Sequence, residues 1–252
     1  MKVYTADLHL HSVLSPCGDL SMSPGEILRR AGEAGLNLIA ITDHNMCENG
    51  AALRVLAANS GISVLYGMEL ETAEEVHLVC LFDTLHAALE WQETVYPHLP
   101  DIQNDPERFG DQAVVDAEEN ILRFEARLLV NATDIPLAAA WRMVETRGGL
   151  AIPAHVDRSA HSLISQLGFV PPDIEFAAVE LSRFAPADFL IRQAQWLHAL
   201  PAVRFSDAHF PEEIGLQRTR FVLETPTIPE LRLALRGEGG RYIAGEDPPR
   251  GK

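Results

Sequence analysis

Short apolar runs alternate with amphipathic stretches along most of this chain, and that alternation limits its fold more than any other feature. LNLIAIT (36–42), ISVLYGM (62–68), VHLVCLF (76–82) and FAAVELS (176–182) are apolar at consecutive positions rather than at every second one. Such runs read as parallel strands buried on both faces. Strands are expected near 3–9, 37–42, 62–68, 76–82, 149–154, 176–181 and 202–206, about seven in all. Helices are expected between them, at 49–59, 84–94, 135–147, 186–198 and 228–236, the last closed by Gly237. The first helix starts at Pro24, with Ser23 as its cap and Glu26 completing a capping box. Strand followed by helix, repeated, predicts a parallel α/β sheet or barrel. The stretch 95–133 breaks this rhythm. Its YPHLPDIQNDPERFG part is rich in Pro, Asp and Asn, and its second part suits a hairpin turning at Glu118 to Asn120. It is expected to be an insertion or flap within a single domain spanning 1–252.

Composition narrows the function. With 20 Lys and Arg against 36 Asp and Glu, the formal charge is 20 − 36 = −16. Because holding a long polyanion needs clustered Lys and Arg, long nucleic acid is the disfavoured partner and a small substrate the favoured one. No apolar run reaches the roughly 18 residues that cross a bilayer. Asp7, His9 and His11 interrupt any apolar leader in MKVYTADLHLHS. Three cysteines, Cys17, Cys47 and Cys80, form no CxxC pair and leave one over, so a reducing cytoplasm is the expected location.

Chemistry concentrates in five segments that each follow an expected strand: Asp7-Leu8-His9-Leu10-His11, Thr42-Asp43-His44-Asn45, Gly67-Met68-Glu69, Pro153-Ala154-His155 and Ser206-Asp207-Ala208-His209. A sixth, Glu75-Val76-His77, opens a strand. Together they hold six of the ten histidines. In parallel α/β folds the loops after the strands surround one site, so these distant segments converge. Alternate residues on an extended chain share a side, which lets His9 with His11, or Asp207 with His209, face one cavity. Imidazoles and carboxylates crowded together need cations, and suit zinc, manganese or iron.

DLHLHS, ITDHN, GMELE, IPAH and SDAH, in that order, resemble the PHP (polymerase and histidinol phosphatase) family of metal-dependent phosphoesterases. The resemblance implies a distorted, TIM-like (β/α)7 barrel with two to three divalent metal ions at its mouth, and hydrolysis of a phosphoester by metal-activated water. Carried over residue by residue, it implies one metal site from His9, His11, Glu69 and Asp207, and a second from Glu69, His77 and His155. A third would use His44 and His209 with Asp19, or with Cys17 in its place. A small phosphomonoester is the expected substrate. A phosphodiesterase or exonuclease acting on nucleotides or oligonucleotide ends is the alternative, and a non-catalytic, metal-stabilised binding module a further one. Asp207 could also accept the water proton, and His209 stands beside it. Arg158 and Arg183 are the forks best placed to grip a phosphate. His161, in the loop of Arg158, could protonate a leaving group.

Overall fold

The computed structural model of the chain describes residues 1–197 and 200–245. The strands, in chain order, are β1 (Lys2–Leu10), β2 (Leu38–Ile41), β3 (Ser63–Glu71), β4 (His77–Phe82), β5 (Ala113–Val115), β6 (Ile121–Phe124), β7 (Leu150–Pro153), β8 (Val179–Glu180), β9 (Ala202–Val203), β10 (Thr219–Leu223) and β11 (Tyr242–Ala244). Seven of them form one curled sheet in the order β11-β10-β1-β2-β3-β4-β7, and β8 pairs with β9 separately. Single backbone bonds extend the curl at both sides: Val156 N–H donates to Glu180 O (2.9 Å), and His11 N–H donates to Ala208 O (3.0 Å).

The sheet is not the parallel one expected. Only β1, β2 and β3 run parallel; β3–β4, β4–β7, β1–β10 and β10–β11 are antiparallel. The physical reason is that a continuous apolar run reports burial on both faces and not strand direction. β3 and β4 are joined by only Thr72 to Val76, far too short for a crossover helix. Gly67 lies where these two strands approach so closely that a Cβ would meet the Cys80 carbonyl oxygen at 1.9 Å. The strands at 219–223 and 242–244, absent from the sequence reading, cover the outer side of β1.

Helices Pro24–Glu33, Gly50–Ala57, Leu85–Val95, Leu137–Thr146 and Ile228–Arg236 occupy the expected intervals. The first is capped by Ser23, whose hydroxyl accepts from Glu26 N–H (3.2 Å), but the Glu26 carboxylate is taken by Arg29 and Arg30 instead of closing the box. The helix expected at 186–198 is two short turns, Phe189–Arg192 and Ala194–Leu197, and its last residue lies outside the described residues.

The 95–133 stretch contains the expected hairpin, β5–β6, turning through Asp116 to Asn120. It is tied to the first motif loop: Ala113 N–H donates to Val13 O (2.8 Å), and the buried Asn49 amide donates to Ala113 O and Ser12 Oγ. β1 shows why the fold makes a site. Leu8 lies in the core cluster of Leu38, Val79 and Phe221, Leu10 lies in that of Ile27 and Ile39 past a register irregularity in the β1–β2 pairing, and His9 between them is fully buried.

Candidate metal centre

Glu69, at the end of β3, is the hub. Its Oε1 lies 3.2 Å from His9 Nε2, 2.8 Å from His77 Nδ1 and 3.1 Å from His155 Nε2, and its Oε2 lies 3.2 Å from His44 Nδ1 and 3.4 Å from His11 Nε2. Asp207 Oδ1 stands 3.4 Å from His9 Nε2 and 3.2 Å from His11 Nε2. His209 stacks on His11 with ring centroids 4.2 Å apart. All but His77 and His209 of these residues are buried. His155 and Asp207 also take left-handed backbone angles, φ 30° and 51°, strain of the kind that collects at functional sites.

The ring orientations are set from behind. His9 Nδ1 faces Glu180 Oε2 at 2.9 Å, which turns Nε2 inward. His11 Nδ1 faces Ser15 Oγ at 2.9 Å, and Ser15 donates to Asp43 Oδ1 at 2.8 Å, so that hydroxyl accepts from the imidazole. Asp43 thus reaches His11 through Ser15, and it also accepts from the Ser12 backbone and hydroxyl. Neither Glu180 nor Ser15 emerged from the sequence reading. A carboxylate inside the otherwise apolar FAAVELS was the available signal for Glu180.

Charge and burial conflict here. Burial opposes the Glu69 carboxylate, but His77, His9 and His44 hold it well below the usual carboxylate range. Burial works against His9 too, yet Glu180, Glu69 and Asp207 raise it well above its ordinary value. Five imidazoles around one carboxylate cannot all be cations. Burial pushes His44 well below its ordinary value, and burial with the nearby His11 lowers His209 to about 4. His9 Nε2, His11 Nε2 and His44 Nδ1 are buried with no hydrogen-bond partner, all aimed at the carboxylates. Unpartnered inward nitrogens beside carboxylates are the donor set that divalent zinc, manganese or iron takes up.

Among the described residues, four groups have ligand atoms within 4.8 Å of one another: His9, His11, Glu69 and Asp207; His44, Glu69 and His77; His11, Cys17, His44 and His209; and Glu71, His77 and His161. The third group holds Cys17, and Asp19 stands apart. The Asp19 carboxylate turns to Ser21, accepting its N–H at 2.9 Å, because the loop closes there into a side-chain turn. The Cys17 thiol, at the exposed rim, is pushed up to about 12 by desolvation and then by Glu69 and Asp207. Arg158 reaches Asp207 Oδ2 at 2.6 Å, and Arg183 is held by Glu213 at 2.6 Å. His161 pairs with the buried Glu71 at 3.0 Å and stacks on His77. Asn45 is a staple: its amide donates to Leu129 O and Asn131 O and its oxygen accepts from Glu71 N–H.

Residues 7–120 match the PHP domain. The family resemblance read from the motifs is borne out there, and the match takes in DLHLHS, ITDHN and GMELE. Among curated proteins, the chain is 32% identical over 99 residues to the uncharacterized protein MJ1587 of Methanocaldococcus jannaschii, covering 36% of this chain and 58% of that one. It is 36% identical over 84 residues to the 5'-3' exoribonuclease of Haemophilus influenzae, covering 32% of this chain and 30% of that protein. The chain therefore spans well under two thirds of either relative.

Of solved structures, the lesion-specific endonuclease PfuEndoQ from Pyrococcus furiosus superposes with a TM-score of 0.71 at 23% identity, over 96% of this chain and 58% of that one. A complex of Endonuclease Q with a 27-mer duplex carrying an abasic lesion matches with a TM-score of 0.70 at 22% identity and the same coverage. The expectation from net charge that long nucleic acid is a disfavoured partner is overturned by that complex, which has this fold and holds a duplex. A summed charge of −16 averages the whole surface and says nothing of one mouth.

Proposed function

We propose that this chain is a metal-dependent phosphoesterase that hydrolyses phosphodiester bonds of nucleic acid. The observation that carries the metal-dependent chemistry is the Glu69 hub, with five imidazoles and Asp207 converging on one point at the strand ends. The choice of nucleic acid over a small phosphomonoester is supported by the exoribonuclease relative and by the endonuclease fold.

His9, His11, Glu69 and Asp207 would hold one ion, Glu69, His77 and His155 a second, and His44, His209 and Cys17 a third, with Cys17 replacing Asp19 in that role. A thiolate there makes the third position softer and more zinc-like, and a reducing compartment would keep it free. When bound, such ions polarise phosphoryl oxygens and lower the pKa of water. The remaining work falls to the chain. Glu180 and Ser15 fix which nitrogen of His9 and His11 faces inward. Arg158, held at the rim by Asp207 Oδ2, would present its guanidinium to a non-bridging phosphate oxygen. Asp207 accepts the proton of the attacking water, and His161, steadied by Glu71, supplies one to the departing oxygen. The stretch 95–133 belongs to the same domain and lies beside the first motif loop.

The test is hydrolysis of a single-stranded oligonucleotide and of p-nitrophenyl phosphate by metal-loaded and metal-stripped protein. Oligonucleotide cleavage that exceeds monoester turnover and disappears on stripping is expected. Faster monoester turnover would return the reading to a small-molecule phosphatase, and no turnover of either substrate would overturn both.

A further inference from the structure

Beside the metal centre, on the side of His77 and His155, opens a cavity of about 470 Å³ lined by Asp157, Arg158, Ser159, His161, Ser182 and Phe184, among others. That volume is within the range that takes a small organic ligand. One of its walls is unusual. Phe184 is 71% exposed, although it stands in a loop that the fold has taken care to fix. The Phe184 N–H donates to Ser182 Oγ at 3.1 Å, that hydroxyl donates to Asp157 Oδ2 at 2.6 Å, and Ser182 N–H donates to Asp157 Oδ1 at 2.7 Å. Asp157 thereby clamps the Phe184 loop to the loop that carries His155 and Arg158. Behind the ring, the Arg183 guanidinium lies 4.8 Å from its centroid and is itself anchored by Glu213.

An apolar ring left in water costs free energy unless something covers it, and a rigid, pre-ordered aromatic face is what stacking requires. We infer that Phe184 is the stacking platform for a nucleobase adjoining the scissile phosphate, with the cavity as the base subsite and Arg158 and the metal centre engaging the phosphate. This rests on the phosphodiesterase reading above and adds a substrate feature to it: the substrate must carry a base. Stacking on the Phe184 ring is open to every base, so the subsite discriminates among them weakly.

Two readouts separate this inference from the reading it rests on. The first compares the p-nitrophenyl ester of thymidine 5'-monophosphate with methyl p-nitrophenyl phosphate, a diester without a base. Phe184→Ala should reduce the preference for the base-bearing diester about tenfold, chiefly through KM, and Phe184→Tyr should restore it. The second needs no turnover. In Phe184→Trp, fluorescence in excess of the wild-type signal should be quenched by thymidine 5'-monophosphate and not by deoxyribose 5-phosphate. An unchanged preference in Phe184→Ala, or equal response of the introduced Trp to both phosphates, would overturn the base subsite. If no diester is cleaved at all, the phosphodiesterase reading falls and the quenching alone decides the subsite.

Discussion

The floor of the metal centre and its rim are built differently. On the floor, two imidazoles have a second anchor: His9 has Glu180, and His11 has Ser15 with Asp43 behind it. At the rim, Arg158 and Arg183 each rest on a single carboxylate, and the Arg158 side chain is 42% exposed. A residue pinned twice and buried is set to hold a fixed ion. A guanidinium held by one carboxylate and partly open to solvent can exchange that partner for substrate. The difference separates what the molecule keeps from what it meets, and it predicts that floor substitutions act through metal content while rim substitutions act through turnover.

The largest effect should come from the hub. Glu69→Gln removes the charge that five imidazoles share, so metal content measured by elemental analysis should collapse and phosphodiester turnover should fall by more than the roughly 10- to 100-fold typical of outer partners. If metal stays bound at full stoichiometry, Glu69 is not the common ligand and the floor has been misread. Next is Glu180, whose carboxylate meets the outward nitrogen of His9, Nδ1. Glu180→Ala should weaken metal affinity roughly 10- to 100-fold, with Glu180→Gln milder because it preserves the shape and one acceptor. A loss of turnover with metal affinity intact would put Glu180 among the reacting groups.

The floor was largely legible in the sequence, and the reason is geometric. A strand end turns His9 and His11, two positions apart, to one side, whereas His155 and Asp207 lie past their strands on left-handed backbone, and with Glu69 the five meet at one centre. What was not legible depends on chain direction or on long loops. The antiparallel return of β4 after β3 hides behind an apolar run that reads alike in either direction. Glu180 meets His9 across 171 positions, and nothing local marks the pairing. Asp19 and Cys17 differ by a loop turn that composition does not reveal.

That last pair gives a sharper contrast at the boundary between floor and rim. Cys17→Ser should lower the number of bound ions or the affinity of the most weakly held one, about tenfold by the scale of other ligand-shell changes. Asp19→Ala should leave metal content as it was, since its carboxylate serves only Ser21. The reverse outcome would mean that the loop refolds when cations bind and brings Asp19 inward.

The smallest effect tests the rim itself. Arg158 pairs with Asp207 Oδ2, whereas Oδ1 is the oxygen turned to His9 and His11, so its removal should spare the floor. Arg158→Ala should keep the metal complement of the parent protein and lower turnover of a phosphodiester by roughly tenfold, the scale of one charge-assisted contact of about 1.5 kcal/mol. Arg158→Lys should recover only part of it, because an ammonium keeps the charge and loses the fork. Were Arg158→Ala instead to change metal affinity as much as Glu180→Ala does, the arginine would belong to the floor, and the division between a fixed ion cradle and an exchangeable substrate grip would have to be abandoned.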